Sequence, residues 1–276
     1  MSEVFPNAPL ALVAFEVRYL EEAPLTARPA LGGLKAALAE HLPLRDDLRQ
    51  HDVALRVGAP EAPAVQVTVV PRFTTRDRTT ACQVSPTSLI IETTAYAGFE
   101  SFLILIDTAL QAVAEVAKPD GVTRIGLRYI DEIRVPGIEE PPGDWRGYID
   151  EHLLAPVAEE FVKAAQLIPH TWQGVVQYGT GPDRAVVLRY GPAEGYAVPP
   201  GGPTRRKGPP PPGLYFLLDS DSFWQPSDEI PTFEPETLVA ACRQLHTPVR
   251  ALFDTVVANR LVDEVFRQPA EEGGVA

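Results

Sequence analysis

Cysteine is scarce in this sequence: Cys82 and Cys242 are the only two among 276 residues. Two thiols this far apart do not make the disulfide framework of a small secreted protein. Residues 1–7 lack a basic stretch followed by an apolar run, so no secretory signal peptide is predicted. No run of about 20 apolar residues occurs, so no membrane-spanning helix is predicted. These absences predict a cytoplasmic protein.

Positive charge is also in short supply, with 24 lysines and arginines against 37 acidic residues and a net charge of -13. Affinity for nucleic acids comes largely from basic side chains that neutralise phosphates, so a nucleic-acid partner is not expected. The same field repels anionic membrane surfaces. The hydrophobic share of 45% is ample for a core, and the charged share of 22% is ordinary for a globular chain.

The common catalytic signatures are missing. The chain has no G-x-S-x-G, no H-E-x-x-H, no phosphate-binding P-loop, and no G-x-G-x-x-G that opens a helix. We therefore predict no catalytic residue and no cofactor. An enzyme is still an open alternative, because unrelated folds assemble sites from scattered residues.

Hydrophobic periodicity is what the sequence does offer. Period-two alternation predicts strands, and apolar residues spaced three and four apart predict amphipathic helices. The predicted strands are 10–20, 65–73, 79–84, 88–94, 122–135, 171–178, 184–190 and 214–218. The predicted helices are 31–42, 99–117, 145–167 with a break or kink at Pro156, and 234–268, where Pro248 leaves open one bent helix or two abutting helices.

This order of elements favours an α+β fold. We expect a largely antiparallel sheet of about seven strands with long helices packed on one face. Residues 1–268 are predicted to form a single domain, possibly built from two similar halves, 1–136 and 137–268. A Pro/Gly-rich loop is predicted at 192–212, mobile or in polyproline II conformation, and a disordered tail at 269–276.

Several segments together resemble a sporadically distributed bacterial family of unknown function, the TIGR04255 proteins. The segments that carry the resemblance are 6–10 leading into 15–18, 72–74 leading to 88–89, 96–102, 125–131, 217–221 and 245–253. Asp131 replaces the asparagine usual in the family. The resemblance implies length and general layout, with no established activity to transfer. The family's patchy distribution implies an accessory role, such as defence or specialised metabolism.

One predicted ligand site consists of charged side chains on the polar sides of three strands: Arg18, Arg124, Arg128 and Asp219. Arginine offers a planar fork of donors that suits carboxylate or phosphate. An enzyme or small-molecule binder would use these arginines to line a pocket for an anionic ligand, between the sheet and the C-terminal helix. The alternative is a solvated sheet face that carries cross-strand ion pairs.

A predicted partner site consists of the basic triplet Arg205, Arg206 and Lys207, with Phe223 and Trp224 as exposed anchors. Four prolines follow the triplet, and such a segment suits an acidic partner or an aromatic groove; the alternative is a plain surface loop. Our leading prediction is a non-catalytic protein that binds another protein or a peptide, possibly forming a homodimer.

Two short patterns resemble parts of metal sites, but neither supplies enough ligands. Asp219 and Asp221 form a lone D-x-D, which is too little for a cation that takes six or more oxygens; a turn at the end of a strand is the preferred interpretation. Cys242 and His246 stand four apart on a helix, but structural zinc needs four ligands. We therefore predict an inert buried thiol and no metal.

Overall fold

The computed structural model describes residues 5–20, 24–54 and 64–269. Its strands are β1 Leu10–Tyr19, β2 Leu44–Arg45, β3 Leu48–Ala54, β4 Ala64–Val70, β5 Arg72–Thr74, β6 Thr80–Val84, β7 Ser88–Thr93, β8 Val122–Ile133, β9 Gly174–Gly181, β10 Arg184–Gly195 and β11 Gly213–Trp224. Its α-helices are α1 Arg28–Ala37, α2 Phe99–Val116, α3 Glu159–Ala165, α4 Pro235–Val256 and α5 Asn259–Leu261. The predicted disordered tail lies outside the described residues, apart from Pro269.

Nine strands form one antiparallel sheet in the order β2-β5-β6-β7-β1-β8-β11-β10-β9. The predicted α+β class with a large antiparallel sheet is therefore confirmed, whereas the predicted count of about seven strands is wrong. β3 and β4 pair only with each other, as a separate two-stranded ribbon. The predicted strand 65–73 is divided at Pro71 between this ribbon and the main sheet, because proline lacks the N–H that a ladder needs.

The core lies on one face of the sheet. In β1, alternate side chains from Ala11 to Tyr19 are buried there, as the period of two requires. Helices α2 and α4 cover this face, and α1 packs against α2. One apolar cluster fills the space under α1, α2 and most of α4, and a second lies under the C-terminal end of α4, with Leu252 packed against both.

Three helices differ from their predicted bounds. Helix α1 spans Arg28–Ala37 rather than 31–42. Region 145–167 is not one helix: a 3₁₀ turn over Glu151–Val157 contains Pro156, and the short α3 follows. Pro248 lies inside α4 without ending it, and the helix stops at Val257, whose backbone is extended. None of the helices within the described ranges is long and apolar enough to cross a lipid bilayer.

Candidate functional site

A cavity of about 360 Å³ opens between the sheet and α4, near the start of β1. Its walls come from four parts of the chain: the segment before β1, the turn between β7 and α2, the middle of β8 with β11, and one face of α4. The lining residues are Phe5, Pro6, Ala8, Pro9, Leu10, Thr94, Ala95, Tyr96, Gly98, Tyr129, Asp131, Ser220, His246, Val249, Arg250 and Phe253. The volume falls at the lower end of the range for small-molecule sites, about 300–1,000 Å³.

The sheet supplies the polar groups of the cavity. Tyr129 and Asp131 are two residues apart on β8, so both point to the helix-covered face. Ser220 on β11 is the register partner of Tyr129 and shares that face. Tyr129, Asp131 and Ser220 thus bring three polar side chains together on a face that is mostly apolar.

A hydrogen-bonded pair joins the sheet to the helix beside the cavity. The hydroxyl oxygen of Tyr129 lies 3.0 Å from Nδ1 of His246 and 3.4 Å from the hydroxyl of Tyr96. The His246 ring stacks on Phe99 with 3.8 Å between ring centroids. Burial, together with the nearby charge of Arg250, lowers the pKa of His246 to about 4. The imidazole is therefore neutral at pH 7 and its position is fixed on both sides.

Asp131 is the most unusual group in the cavity. Only 6% of the residue is exposed, and its carboxyl makes no hydrogen bond or ion pair with any residue in the described ranges. Burial, followed by the nearby charge of Asp219, raises the pKa of Asp131 to about 7. Buried polar groups are almost always hydrogen-bonded, so a carboxyl that faces a cavity in this state is a candidate ligand contact.

One guanidinium belongs to the cavity wall. Arg250 lies on α4, and its Nε donates to Oδ2 of Asp254 one turn further along the helix at 2.8 Å. This pair lies at the surface, and the charge of Arg250 still acts inside the cavity, where it helps to lower the pKa of His246. Because His246 is neutral, Arg250 is the one cation among the described lining residues.

The segment before β1 closes one side of the cavity and is held by the C-terminal end of the described chain. The backbone N–H of Asn7 donates to the carbonyl of Phe266 at 3.0 Å. The rings of Phe5 and Phe266 pack with 5.5 Å between centroids. At the start of β1, Leu10 is the register partner of Asp131, next to an irregularity in the ladder. This wall therefore depends on contacts between opposite ends of the sequence.

The predicted ligand residues lie on the other face of the sheet. Arg18, Arg124, Arg128 and Asp219 alternate with the buried residues of β1, β8 and β11, and none of them lines the cavity. The prediction that these arginines line a pocket beside the C-terminal helix is therefore wrong in its placement. Neighbouring residues of a strand point to opposite faces of the sheet, so the period of two places these four side chains on the face away from the helices.

On that open face the charges are brought together and neutralise each other. Arg128 donates from Nε and Nη2 to the two carboxylate oxygens of Asp219, both at 2.7 Å. Arg124 bridges Glu16 at 2.6 Å and Asp221 at 3.1 Å, and Arg18 also donates to Glu16. The donor forks are occupied by carboxylates, as the alternative of cross-strand ion pairs expects. An anion would have to displace them.

Asp219 and Asp221 do not form a turn at the end of a strand. Both lie inside β11, which continues to Trp224, and both accept from arginines of β8. The turn interpretation is wrong because cross-strand partners, invisible in the local sequence, keep this acidic stretch extended.

The Pro/Gly-rich connection between β10 and β11, residues 196–212, crosses the open face, and we call it the strap. Nη1 of Arg206 donates to Oε2 of Glu132 at 2.8 Å. Thr204 is buried and accepts from Nη2 of Arg72 at 2.6 Å, and Lys207 pairs with Asp77 at 2.5 Å. These contacts join the strap to the sheet at several points; the expectation of a mobile or polyproline II loop stays a prediction.

Of the predicted partner residues, only some are open to solvent. Arg206 is largely covered by its pairing with Glu132, whereas Arg205 and Lys207 have exposed side chains. Phe223 is half-buried under the guanidinium of Arg124, and Trp224 is half-buried against the core beside Arg184. Phe223 and Trp224 are thus not the exposed anchors that the sequence predicts.

The metal candidates stay apart. Cys242 is buried, which raises the pKa of its thiol to about 12, and His246 is engaged by Tyr129. Within the described ranges, no group of three or more His, Cys, Asp or Glu side chains is placed to hold a metal ion.

Sequence reasoning missed the residues that the cavity brings together. The only local signal is Asp131, which interrupts the apolar alternation of β8 on the side of Tyr129 and Ile133. His246, the partner of Tyr129 on α4, is 117 residues away in the chain, and the cavity wall before β1 is more than 100 residues from Asp131. No local sequence pattern indicates that residues so far apart meet.

No protein-family model matches the chain, and a comparison with curated proteins finds no match either. The resemblance to the sporadically distributed bacterial family therefore stays a prediction.

Proposed function

We propose that this protein binds a small organic molecule in the cavity between β8 and α4. The observation that carries the proposal is Asp131, a buried carboxyl with no partner in the described part of the chain, set in a cavity of about 360 Å³. Its oxygens are not sealed in the core but are open to the cavity, where a ligand can contact them. Titratable groups with a pKa shifted by burial, as that of Asp131 is, cluster at functional sites.

The composition of the lining supports a ligand that is mostly apolar. Phe5, Leu10, Val249 and Phe253 surround the polar group on several sides. Ligand sites in proteins combine this kind of apolar wall with a few polar groups that fix the orientation of the ligand. The Tyr129–His246 pair keeps the wall rigid, so the site is formed before a ligand arrives.

A blocked-cavity variant tests the proposal. Ala95 is exposed at the mouth of the cavity, so Ala95→Trp fills the opening without disturbing the core. Ala36→Trp, on the exposed side of α1, is the matched control. We expect a collection of small aromatic fragments, screened by ligand-observed NMR and thermal shift, to yield binders to the wild type and to Ala36→Trp. Ala95→Trp should lose them. If no fragment binds the wild type, or if Ala95→Trp binds as well, the cavity is not the site.

A second candidate function is recognition of a second copy of this chain through the edge strand β9. Large apolar side chains are exposed on β9 and just before it: Val175 on β9 is 67% exposed, and Ile168, between α3 and β9, is 87% exposed. β9 carries no charged residue, although charged side chains usually protect sheet edges from pairing. In a chain of net charge -13, an uncharged edge is where two copies approach with least repulsion. Antiparallel pairing of β9 with β9 would extend the sheet across a two-fold axis.

Sedimentation velocity distinguishes this second candidate. Val175→Lys places a charge on β9, and Ile104→Lys, on the exposed side of α2, is a control with a similarly exposed apolar residue. The wild type and Ile104→Lys should sediment as dimers and Val175→Lys as a monomer. A monomeric wild type at micromolar concentration would remove this candidate.

A further inference from the structure

We infer that the ligand of this cavity carries a protonated amine on an apolar or aromatic body, and that the amine pairs with Asp131. The inference rests on the proposed function and names the class of ligand. It follows from the acidic groups around the cavity, from the rings that line it, and from the position of Asp131.

No arginine of the described sheet pairs with Asp131. Arginines near this strand lie on the opposite face and are engaged: Arg128 with both oxygens of Asp219, and Arg189 with the same carboxylate at 3.6 Å. Asp219 itself adds negative charge behind Asp131 rather than relieving it. An ionised buried carboxyl without a partner is strongly unfavourable. A ligand cation placed in the cavity supplies the missing partner.

Aromatic rings form much of the cavity wall around Asp131. Four aromatic side chains line the same cavity: Phe5, Tyr96, Tyr129 and Phe253. The faces of aromatic rings attract cations, and sites that recognise ammonium groups combine such rings with a carboxylate. The Tyr96 and Tyr129 rings meet edge to face with 5.9 Å between centroids, so they form a fixed corner beside Asp131.

The acidic groups around the cavity disfavour an anionic ligand. Such a ligand would lie next to Asp131 and, beyond it, Asp219. Arg250 is the one cation among the described lining residues, and its Nε is engaged by Asp254. The net charge of -13 also concentrates cations around the protein and repels anions. The two carboxylates and the net charge therefore favour a cationic ligand over an anionic one.

The pairing implies a defined dependence on pH. The ionisable groups that share the cavity with Asp131 are Tyr129 on its own strand, Tyr96 before α2, and His246 and Arg250 on α4; Asp219 lies behind it on the other face, and residues 5–10 contribute no ionisable side chain. The pKa of Asp131 is about 7, whereas that of His246 is about 4 and those of Tyr96 and Tyr129 are raised by burial. Below about pH 7 the amine must displace a proton from Asp131, so its affinity falls about tenfold per pH unit. Above it, up to the pKa of the amine, affinity is constant.

Three matched probes test the inference by isothermal titration calorimetry: 2-phenylethylamine, 2-phenylethanol and 3-phenylpropionate. We expect the wild type to bind the amine most tightly at pH 8. Asp131→Asn should weaken binding of the amine about 10- to 100-fold, as loss of a charged hydrogen bond does, and leave binding of the alcohol unchanged. Asp107→Asn, an exposed carboxyl on α2, should bind like the wild type.

Equal binding of the amine and the alcohol would overturn the inference, as would preference for the acid, an undiminished amine affinity in Asp131→Asn, or no binding of the amine. The pH dependence of wild-type binding gives a second measurement that needs no variant: an affinity for the amine that is flat from pH 8 to 6 would also overturn it. If the aromatic fragments still bind the wild type and are lost in Ala95→Trp, the proposed function survives and only the amine inference fails.

Discussion

The hydroxyl of Tyr129 and Nδ1 of His246 lie 3.0 Å apart and join the middle of β8 to α4. Burial raises the pKa of Tyr129 well above its ordinary value, so the hydroxyl keeps its proton. Because the imidazole is neutral, the hydroxyl can donate to an unprotonated Nδ1. The pair thus sets the distance between sheet and helix at the cavity.

Removing this hydrogen bond should destabilise the protein modestly. In Tyr129→Phe, Nδ1 of His246 loses its partner in a half-buried place, so the free energy of unfolding should fall by about 1 kcal/mol. Urea denaturation followed by circular dichroism measures the change. Tyr148→Phe, whose hydroxyl bonds the exposed Glu264 at 3.3 Å, is the matched control and should lose less. An equal loss in both variants would mean that the Tyr129–His246 hydrogen bond contributes no more to stability than an exposed one.

The titration of His246 should stand apart from that of His152. Burial and Arg250 lower the pKa of His246 to about 4, whereas the Asp150 carboxylate raises the pKa of the exposed His152. At pH 5.5, NMR of the imidazoles should therefore show His246 neutral and His152 protonated. Arg250→Gln removes the second cause, so the pKa of His246 should rise. A His246 resonance that titrates near 6.5 in the wild type would contradict the assigned burial.

Stability should fall as pH rises through 7, because of Asp131. Its pKa is about 7 in the folded chain and about 3.9 in an unfolded chain. Between these values the folded state holds one proton more than the unfolded state, so raising the pH destabilises the fold. From pH 5 to pH 8 this amounts to about 2–3 kcal/mol.

Asp131→Asn isolates that contribution. The variant cannot ionise, so its free energy of unfolding should gain about 2–3 kcal/mol relative to the wild type between pH 5 and pH 8. Urea denaturation at the two pH values measures the difference, with Asp107→Asn as the matched control. A difference between Asp131→Asn and the wild type that stays constant with pH would show that Asp131 is not buried as described.

The strap should resist trypsin although it contains three consecutive basic residues. Arg206 is held by Glu132, and the backbone N–H of Arg205 donates to the carbonyl of Arg78 at 2.8 Å. Arg206→Ala removes the central pin and should speed cleavage at Arg205 and Lys207. Lys207→Ala removes only an exposed pair with Asp77 and should leave the strap closed.

Mass spectrometry of timed digests locates the cuts. Rapid cleavage within 205–207 of the folded wild type would show that the strap is free, as the sequence alone suggests.

Both cysteines should be inert in the folded protein. Burial raises the pKa of Cys82 and of Cys242 to about 12, and the thiolate is the reactive form. Labelling with a disulfide reagent at pH 8 should be slow in buffer and stoichiometric in denaturant. Fast labelling of either residue without denaturant would contradict the packing of β6 or α4.

The sequence predicts the parts of this fold that depend on local periodicity. The strands β1 and β8 show apolar alternation and the helix α2 shows an apolar stripe, because each element has one buried face and one more exposed face. The sequence does not predict β2 and β3, because residues 44–54 are mostly polar and carry no such pattern. Pro71, in contrast, is a local signal for the break between β4 and β5.

The candidate site could not be predicted in the same way. Asp131 stands out in the sequence as a carboxyl on an apolar face, but its lack of a partner is a property of three dimensions. Arg124 and Arg128 are predicted as ligand-binding residues because their charge is visible in the sequence. The carboxylates that neutralise them lie about 90 or more residues away, on β1 and β11. Burial and pairing, not residue type, decide which charged group is available.

Chemical-shift mapping with 2-phenylethylamine tests the central claim most directly. In ¹⁵N-labelled protein at pH 8, the account predicts saturable shifts confined to the amides of 94–98, 129–131 and 246–253. The same titration of Asp131→Asn should need a much higher amine concentration. Saturable shifts in the wild type that map to the open face around Arg128, or to β9, would contradict it.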